Sequence, residues 1–102
     1  MRIIVLFNLR DGVDPVAYEA WAVTSDAPTV RGLASVSGFQ VHALTGLLMD
    51  EGAPPFQFIE VLDVVDMAQF GSDISTPQMR AISAQFKTFA DNPIFLTTRE
   101  VV

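Results

Sequence analysis

The sequence contains no cysteine and a single histidine, His42. The lack of cysteine excludes disulfide bonds, thiolate nucleophiles and cysteine metal ligands, and one histidine leaves no cluster for zinc. We therefore predict no metal site and a function that needs no cofactor.

Basic side chains are few. The chain has six arginines and lysines against twelve acidic residues, which gives a net charge of −6, and its basic residues stand singly along the sequence. Nucleic acids and anionic membranes are recognised by clustered positive charge. Both are therefore disfavoured as partners.

Long hydrophobic runs are also absent, since no stretch approaches the roughly 18 uninterrupted apolar residues of a membrane-spanning helix. The apolar run near the N-terminus is interrupted by Asn8 and has no small-residue cleavage site. It predicts a first strand, not a signal peptide or a membrane span, and we expect a cytoplasmic protein.

Apolar residues are abundant: they occupy half of the 102 positions, whereas 18% are charged. A chain of this length predicts a single domain over residues 1–102. The composition is apolar-rich for so small a globule. We therefore expect some of the apolar surface to face a partner chain or an enclosed pocket.

The first half of the chain alternates strand and helix signals. The first segment is rich in β-branched and aromatic residues and apolar on both faces, which indicates a strand covered on both sides. Asp14 before Pro15 is typical of a helix N-cap followed by proline at the first helical position, and "SDAP" interrupts that helix. The predicted elements are a strand over residues 3–9, a helix over 15–24, a further turn over 30–35 and a strand over 39–45.

The second half begins with a turn-rich loop, "GLLMDEGAPP", and then repeats these signals. Thr76 and Pro77 again have the N-cap and first-position signature, and an apolar stripe at helical spacing follows them. "DNP" is expected to end that helix. The predicted elements are a strand over residues 56–64, a short helix from Asp66 through Phe70, a helix after Thr76 and a strand over 94–102.

The order β-α-β-β-α-β is the split βαβ pattern of a ferredoxin-like α+β fold, with one four-stranded antiparallel sheet and two helices on one face. The helices can cover only that face. Because the strands are apolar on both faces, we expect the sheet of an identical chain to cover the other. Two such sheets would form a dimeric α+β barrel, with a cavity between sheet and helices in each subunit.

Four stretches, "MRIIVLFNLRDGVDPVAYEAWA", "GFQVHALTG", "PPFQFIEVLDV" and "NPIFLTTREVV", resemble the REDY-like HapK family. The similarity covers nearly the whole chain but includes no diagnostic catalytic signature. Membership would imply a dimeric α+β barrel and a role in secondary metabolism, in the biosynthesis of prodigiosin-type pyrrole pigments.

A broader resemblance is to the dimeric α+β barrel superfamily, which includes cofactor-free monooxygenases and EthD-like proteins. The segment "YEAWAVTSDAPTVRGLASVSGFQVH" is similar to the EthD-like pattern of an aromatic helix, a His-Ala-Pro step and a glycine-aromatic strand start. Asp26 stands where that pattern has histidine. Proton transfer by that histidine is therefore lost, although a carboxylate can act as a base.

His42 and Glu60 are the candidate catalytic residues. His42 is the only side chain whose ordinary pKa lies near neutrality, and Gln40 shares its strand face, the better candidate for a cavity wall. If paired positions in the hairpin sum to 102, Glu60 lies opposite His42 and would orient its ring. A slip of one residue would put them on opposite faces. The structural alternatives are a core histidine and an ion-paired or edge glutamate.

Four further residues are candidates for substrate binding. Asn8 could donate a hydrogen bond to a substrate carbonyl, or simply end its strand. Tyr18 and Trp21, three apart on the first helix, could form an aromatic pocket floor, although packing of that helix on the sheet is the favoured role. Asp26 could flank the pocket mouth or lie in solvent.

Three functions are compatible with these residues. The first is a cofactor-independent enzyme of secondary metabolism that dehydrates, cyclises or helps condense a small aromatic or pyrrolic intermediate, with a cofactor-free monooxygenase as the near alternative. The second is a non-catalytic carrier of a hydrophobic intermediate. The third is a dimeric accessory subunit. In each case the expected partners are an identical chain and a small hydrophobic or aromatic ligand.

Overall fold

The computed structural model describes residues 1–102 and contains four strands, four α-helices and one π-helical turn. The predicted order of strands and helices is confirmed. The elements are β1 (Arg2–Leu9), α1 (Pro15–Trp21), the π-helical turn (Ala22–Asp26), α2 (Ala27–Arg31), β2 (Val36–Ala43), β3 (Phe58–Val64), α3 (Met67–Asp73), α4 (Pro77–Phe89) and β4 (Ala90–Thr97).

The strands form one antiparallel sheet in the order β2-β3-β1-β4, so β1 and β3 are internal and β2 and β4 are edges. This is the ferredoxin-like α+β fold that the element order predicts. Alternate residues of β1 are buried against the helices, as the two-residue period of a strand requires. These residues are Ile3, Val5, Phe7 and Leu9.

The first helix begins as predicted but does not stop at "SDAP". The Asp14 carboxylate accepts a hydrogen bond from the Val16 amide at 2.9 Å, and the chain then stays helical to Arg31 through the π-helical turn. Pro28 has no N–H to donate to the preceding turn. A π-helical turn, which adds one residue to the turn, accommodates such a position without ending the helix.

Several strand boundaries differ from the predicted ones. β2 spans Val36–Ala43 and not 39–45, β3 begins at Phe58 and not at 56, and β4 ends at Thr97 and not at 102. The helix ends before "DNP", as expected, but this segment lies inside the last strand: α4 ends at Phe89, and β4 begins at the next residue. Asn92 has a φ of 45° in this segment, and the pairing of β1 with β4 shifts register between Leu6 and Asn8. Asparagine tolerates that left-handed conformation, and the first residues of β4 therefore pair irregularly with β1.

The core lies between the sheet and the helices and is centred on aromatic rings. Phe7 is fully buried, and its ring lies 5.0 Å from that of Phe86 and 5.4 Å from that of Tyr18. Phe58 completes the group, 4.8 Å from Tyr18. Because edge-to-face contacts hold these rings at fixed angles, they fix how α1 and α4 pack on the sheet.

The opposite face of the sheet carries no helix and is largely apolar. We call it the outer face. Ile4 pairs with Val61 and Leu96, and Leu6 pairs with Ile59 and Ile94, so these six side chains form one continuous patch. Two of them, Ile94 and Leu96, are exposed, and the other four are half-buried.

The longest helix, α4, has 13 residues, and none of the helices meets the length and apolarity that crossing a membrane requires.

Candidate active site

The expected pairing of His42 with Glu60 is wrong. In the β2–β3 ladder His42 lies opposite Ile59, and Glu60 lies opposite Val41, so the two side chains are on opposite faces of the sheet. Phe39 is buried in the core together with Phe58. Since every second residue faces the helices, this shared burial fixes the register and puts His42 on the outer face.

The inner face carries a cavity of about 300 Å³ between the sheet and the helices. This volume is at the lower end of the range for small-molecule sites. Its walls are mainly apolar and include the rings of Phe39, Phe70, Phe86 and Phe95. The polar residues that line it are Asp26, Glu60, Ser83 and Thr97.

Asp26 enters this cavity from the end of the π-helical turn. Ala22 and Asp26 are the buried residues of that turn, whereas Val23 and Thr24 face solvent. Asp26 is only 4% exposed, so it is neither a solvated loop residue nor a group at the pocket mouth. Burial raises the pKa of its carboxyl to about 6, because desolvation disfavours the charged form.

Glu60 lies on an internal strand, with Val5 on one side and Val41 on the other. It is 6% exposed. Burial, and then the negative charge of Asp26, raise the pKa of Glu60 to about 8. At neutral pH the cavity therefore contains one protonated and one ionised carboxyl group, a separation that is typical of an acid and a base with divided roles.

Tyr18 adds a third polar group on the same buried side of the sheet. It is 0% exposed, and its hydroxyl has no hydrogen-bond partner in the protein. Burial raises its pKa, and the charges of Glu60 and Asp26 raise it further, so the phenol stays protonated at neutral pH. Its ring packs against Phe7, Phe58 and other aromatic side chains, as expected for a helix packed on the sheet.

The remaining predicted binding residues, like Tyr18, do not line the cavity. The Trp21 indole N–H donates to the Gln85 side chain at 2.6 Å. The Asn8 carboxamide accepts a hydrogen bond from the Gln57 amide at 3.0 Å and thereby holds the end of the loop before β3. Gln40 lies beside His42, with its side-chain oxygen 3.2 Å from Nε2, on the outer face.

The cavity has no basic side chain among its lining residues. No group of three or more histidine, aspartate and glutamate side chains stands in a metal-binding arrangement. Ser83 and Thr97 are lining residues that the sequence pattern did not single out, because an isolated hydroxyl on a helix or an edge strand carries no signal of its own. Asp26 and Glu60 are the charged lining residues.

The antiparallel sheet and the helices on its inner face define the class: an α+β protein with a ferredoxin-like fold. Within that class the chain belongs to the family described as REDY-like protein HapK, which matches residues 1–101. The resemblance noted in the sequence is thus confirmed. No curated protein matches the sequence at a significant level.

Three solved structures illustrate the likeness. HapK from Hahella chejuensis superposes with a TM-score of 0.73 at 25% identity, over 97% of this chain and 93% of that one. A dimeric ferredoxin-like protein of unknown function from Thermobifida fusca gives 0.74 at 22% identity, over 93% and 85% of the two chains. Hydroxynitrile lyase from Passiflora edulis gives 0.77 at 12% identity, over 93% and 87%.

Proposed function

We propose that the protein is a cofactor-independent enzyme of secondary metabolism, in which Asp26 and Glu60 perform acid/base chemistry on a small aromatic or pyrrolic intermediate. The observation that carries this proposal is the presence of two buried carboxyl groups, with pKa values raised to about 6 and about 8, in one apolar cavity. The resemblance to the REDY-like HapK family, which implies a role in secondary metabolism, supports the proposal.

In this mechanism Asp26 is the base and Glu60 is the acid. In a dehydration, the Asp26 carboxylate removes a proton from a substrate carbon, and Glu60 gives its proton to the departing hydroxyl, which leaves as water. Proton transfer between the two carboxyl groups or with solvent restores the starting state.

The active form proposed here is a homodimer joined through the outer face. An exposed apolar patch of this extent is unusual on a monomer, and one structural relative is described as dimeric. In such a dimer the helices and the cavity of each subunit remain on the outside of the paired sheets. Light scattering at micromolar concentration should then give twice the chain mass.

A carrier for a hydrophobic intermediate is the second candidate, favoured by the mainly apolar walls of the cavity. A carrier needs the cavity but not the ionised Asp26. The two functions therefore differ in the effect expected from Asp26→Asn, which removes the charge of the side chain and keeps its shape.

A base-sensitive aromatic probe separates these functions. Nitrobenzisoxazole opens to a yellow cyanophenolate when a base removes its ring proton, and the reaction needs no other reagent. We expect the wild-type protein to accelerate ring opening and Asp26→Asn to abolish the acceleration. The matched control is Asp11→Asn, which makes the same change at an exposed site. Equal rates for wild type and Asp26→Asn, with the probe bound by both, would favour the carrier.

A further inference from the structure

Asp26 and Glu60 make no ion pair or side-chain hydrogen bond, unlike the carboxylates that have a structural role elsewhere in the chain. Asp63 pairs with Arg2 at 2.8 Å, and Asp73 accepts hydrogen bonds from Ser35 and Gln69. Other aspartates cap helices, as Asp66 does for α3. All of these are less buried than the two carboxyl groups of the cavity.

Neither Asp26 nor Glu60 makes a side-chain hydrogen bond within the protein, although both are more than nine-tenths buried. Buried carboxylates are normally paired, because an unpaired charge away from water is costly. Both residues line the cavity. Their two carboxyl groups are thus available for a ligand, and both can carry negative charge.

We propose that the Asp26–Glu60 cavity binds a flat, apolar ligand that carries a protonated nitrogen or N–H donors, and that it rejects the corresponding carboxylate. The geometry gives the ligand apolar walls on most sides and two carboxyl groups as hydrogen-bond acceptors, with no arginine, lysine or histidine to receive an anion. The inference rests on the proposed function, since it names the ligand class of the same cavity, but it does not require turnover.

We also expect the protonation state of Glu60 to change when a cation binds in the cavity. A positive charge beside Glu60 favours its ionised form and lowers its pKa. At neutral pH, cation binding should therefore release protons from the cavity, and affinity should increase as the pH rises towards 8. A neutral ligand of the same shape should do neither.

Three indoles with one ring system and different charges test the charge preference. Isothermal calorimetry at neutral pH compares tryptamine, indole and indoleacetate, which are cationic, neutral and anionic. We expect tryptamine to bind roughly a hundredfold more tightly than indoleacetate, the scale of a partly desolvated charge pair against a repulsive one. Calorimetry in buffers of different ionisation enthalpy should detect released protons for tryptamine only.

Substitutions test whether the two carboxyl groups cause the preference for tryptamine. Asp26→Asn and Glu60→Gln should each reduce the preference for tryptamine, and the double variant should bind the three indoles with similar affinities. Both substitutions keep the shape of a protonated carboxyl group and remove a buried group that can ionise, so folding is expected to survive, which urea denaturation checks. Asp11→Asn and Glu51→Gln, at exposed positions, are the matched controls and should behave as wild type.

Several results would overturn the inference: indoleacetate binding as tightly as tryptamine, a preference for tryptamine that persists in the double variant, or no tryptamine binding at millimolar concentration. Its failure is distinguishable from failure of the proposed function. Charge preference without ring opening of nitrobenzisoxazole would leave a carrier for cationic aromatics. Ring opening without charge preference would leave an enzyme for another ligand class.

Discussion

Replacing Glu60 by glutamine should stabilise the protein at alkaline pH. The side chain is buried on an internal strand without a hydrogen bond, and the same carboxyl group is solvated in the unfolded chain. The Glu60 pKa rises from 4.5 to about 8 on folding. Glutamine has nearly the shape of the protonated glutamate but cannot ionise, so the substitution removes the charge and little else.

The size of the effect follows from proton linkage. Below about pH 4.5 Glu60 is protonated in both states, and its contribution to stability is fully present. As the pH rises towards 8, the unfolded chain loses the proton that the folded chain keeps, so the free energy of unfolding falls by about 1.4 kcal/mol per pH unit. The complete loss is roughly 5 kcal/mol for the shift from 4.5 to about 8, a large fraction of the stability of a small domain.

Urea denaturation across the pH range measures this loss. Asp26 contributes its own decrease at lower pH, between its ordinary pKa of 3.8 and about 6, so the interval from about pH 6 to about pH 8 isolates Glu60. Protein concentration is held constant, because the proposed dimerisation would also contribute to apparent stability. Glu51→Gln, at an exposed loop position, controls for the change in net charge.

We expect wild type and Glu60→Gln to have similar stability near pH 4 and the variant to be several kcal/mol more stable near pH 9. A wild-type stability that stays level between pH 6 and 8 would show that Glu60 keeps no raised pKa in the folded protein. The same decrease in Glu60→Gln as in wild type would show that another group causes the loss.

Three further predictions concern other parts of the molecule. Tyr18→Phe removes a buried hydroxyl without a hydrogen-bond partner, so urea denaturation should show it to be as stable as wild type or more stable by about 1 kcal/mol; a clear loss would mean that the hydroxyl is satisfied. Val61→Lys puts a charge in the apolar patch of the outer face and should halve the mass seen by light scattering; an unchanged dimer would place the interface elsewhere. His42→Gln should open nitrobenzisoxazole as fast as wild type, because His42 and the cavity are on opposite faces of the sheet; a lost activity would move the site to the outer face.

The fold was predictable because its signals are local. Asp14 and Thr76 both accept the capping hydrogen bond that their positions indicated, and the strand order follows from the sequence of elements. The helix end was not predictable in the same way. "SDAP" has the composition of a segment that ends a helix. Ala22 and Val30, on either side of it, pack against the sheet and are both buried, and this packing keeps the chain helical.

The candidate site was predictable in part. The shared burial of Phe39 and Phe58 required Glu60 to face the helices and His42 to face away, and an apolar pattern alone could have established this from the sequence. Asp26 was recognised as a replacement for a histidine in a related pattern. Its proximity to Glu60 depends on how the helix lies across the sheet, which no local pattern specifies.

The proposed mechanism requires an ionised Asp26 and a protonated Glu60 in the cavity at neutral pH. A carbon-13 NMR titration of the side-chain carboxyl carbons measures both groups, with Asp26→Asn and Glu60→Gln used to assign the two signals. We expect the pair to titrate in two steps, near pH 6 for Asp26 and near pH 8 for Glu60. If both carboxyl groups instead ionised at their ordinary pKa values, the cavity would contain no acid at neutral pH, and the proposed division of roles would be wrong.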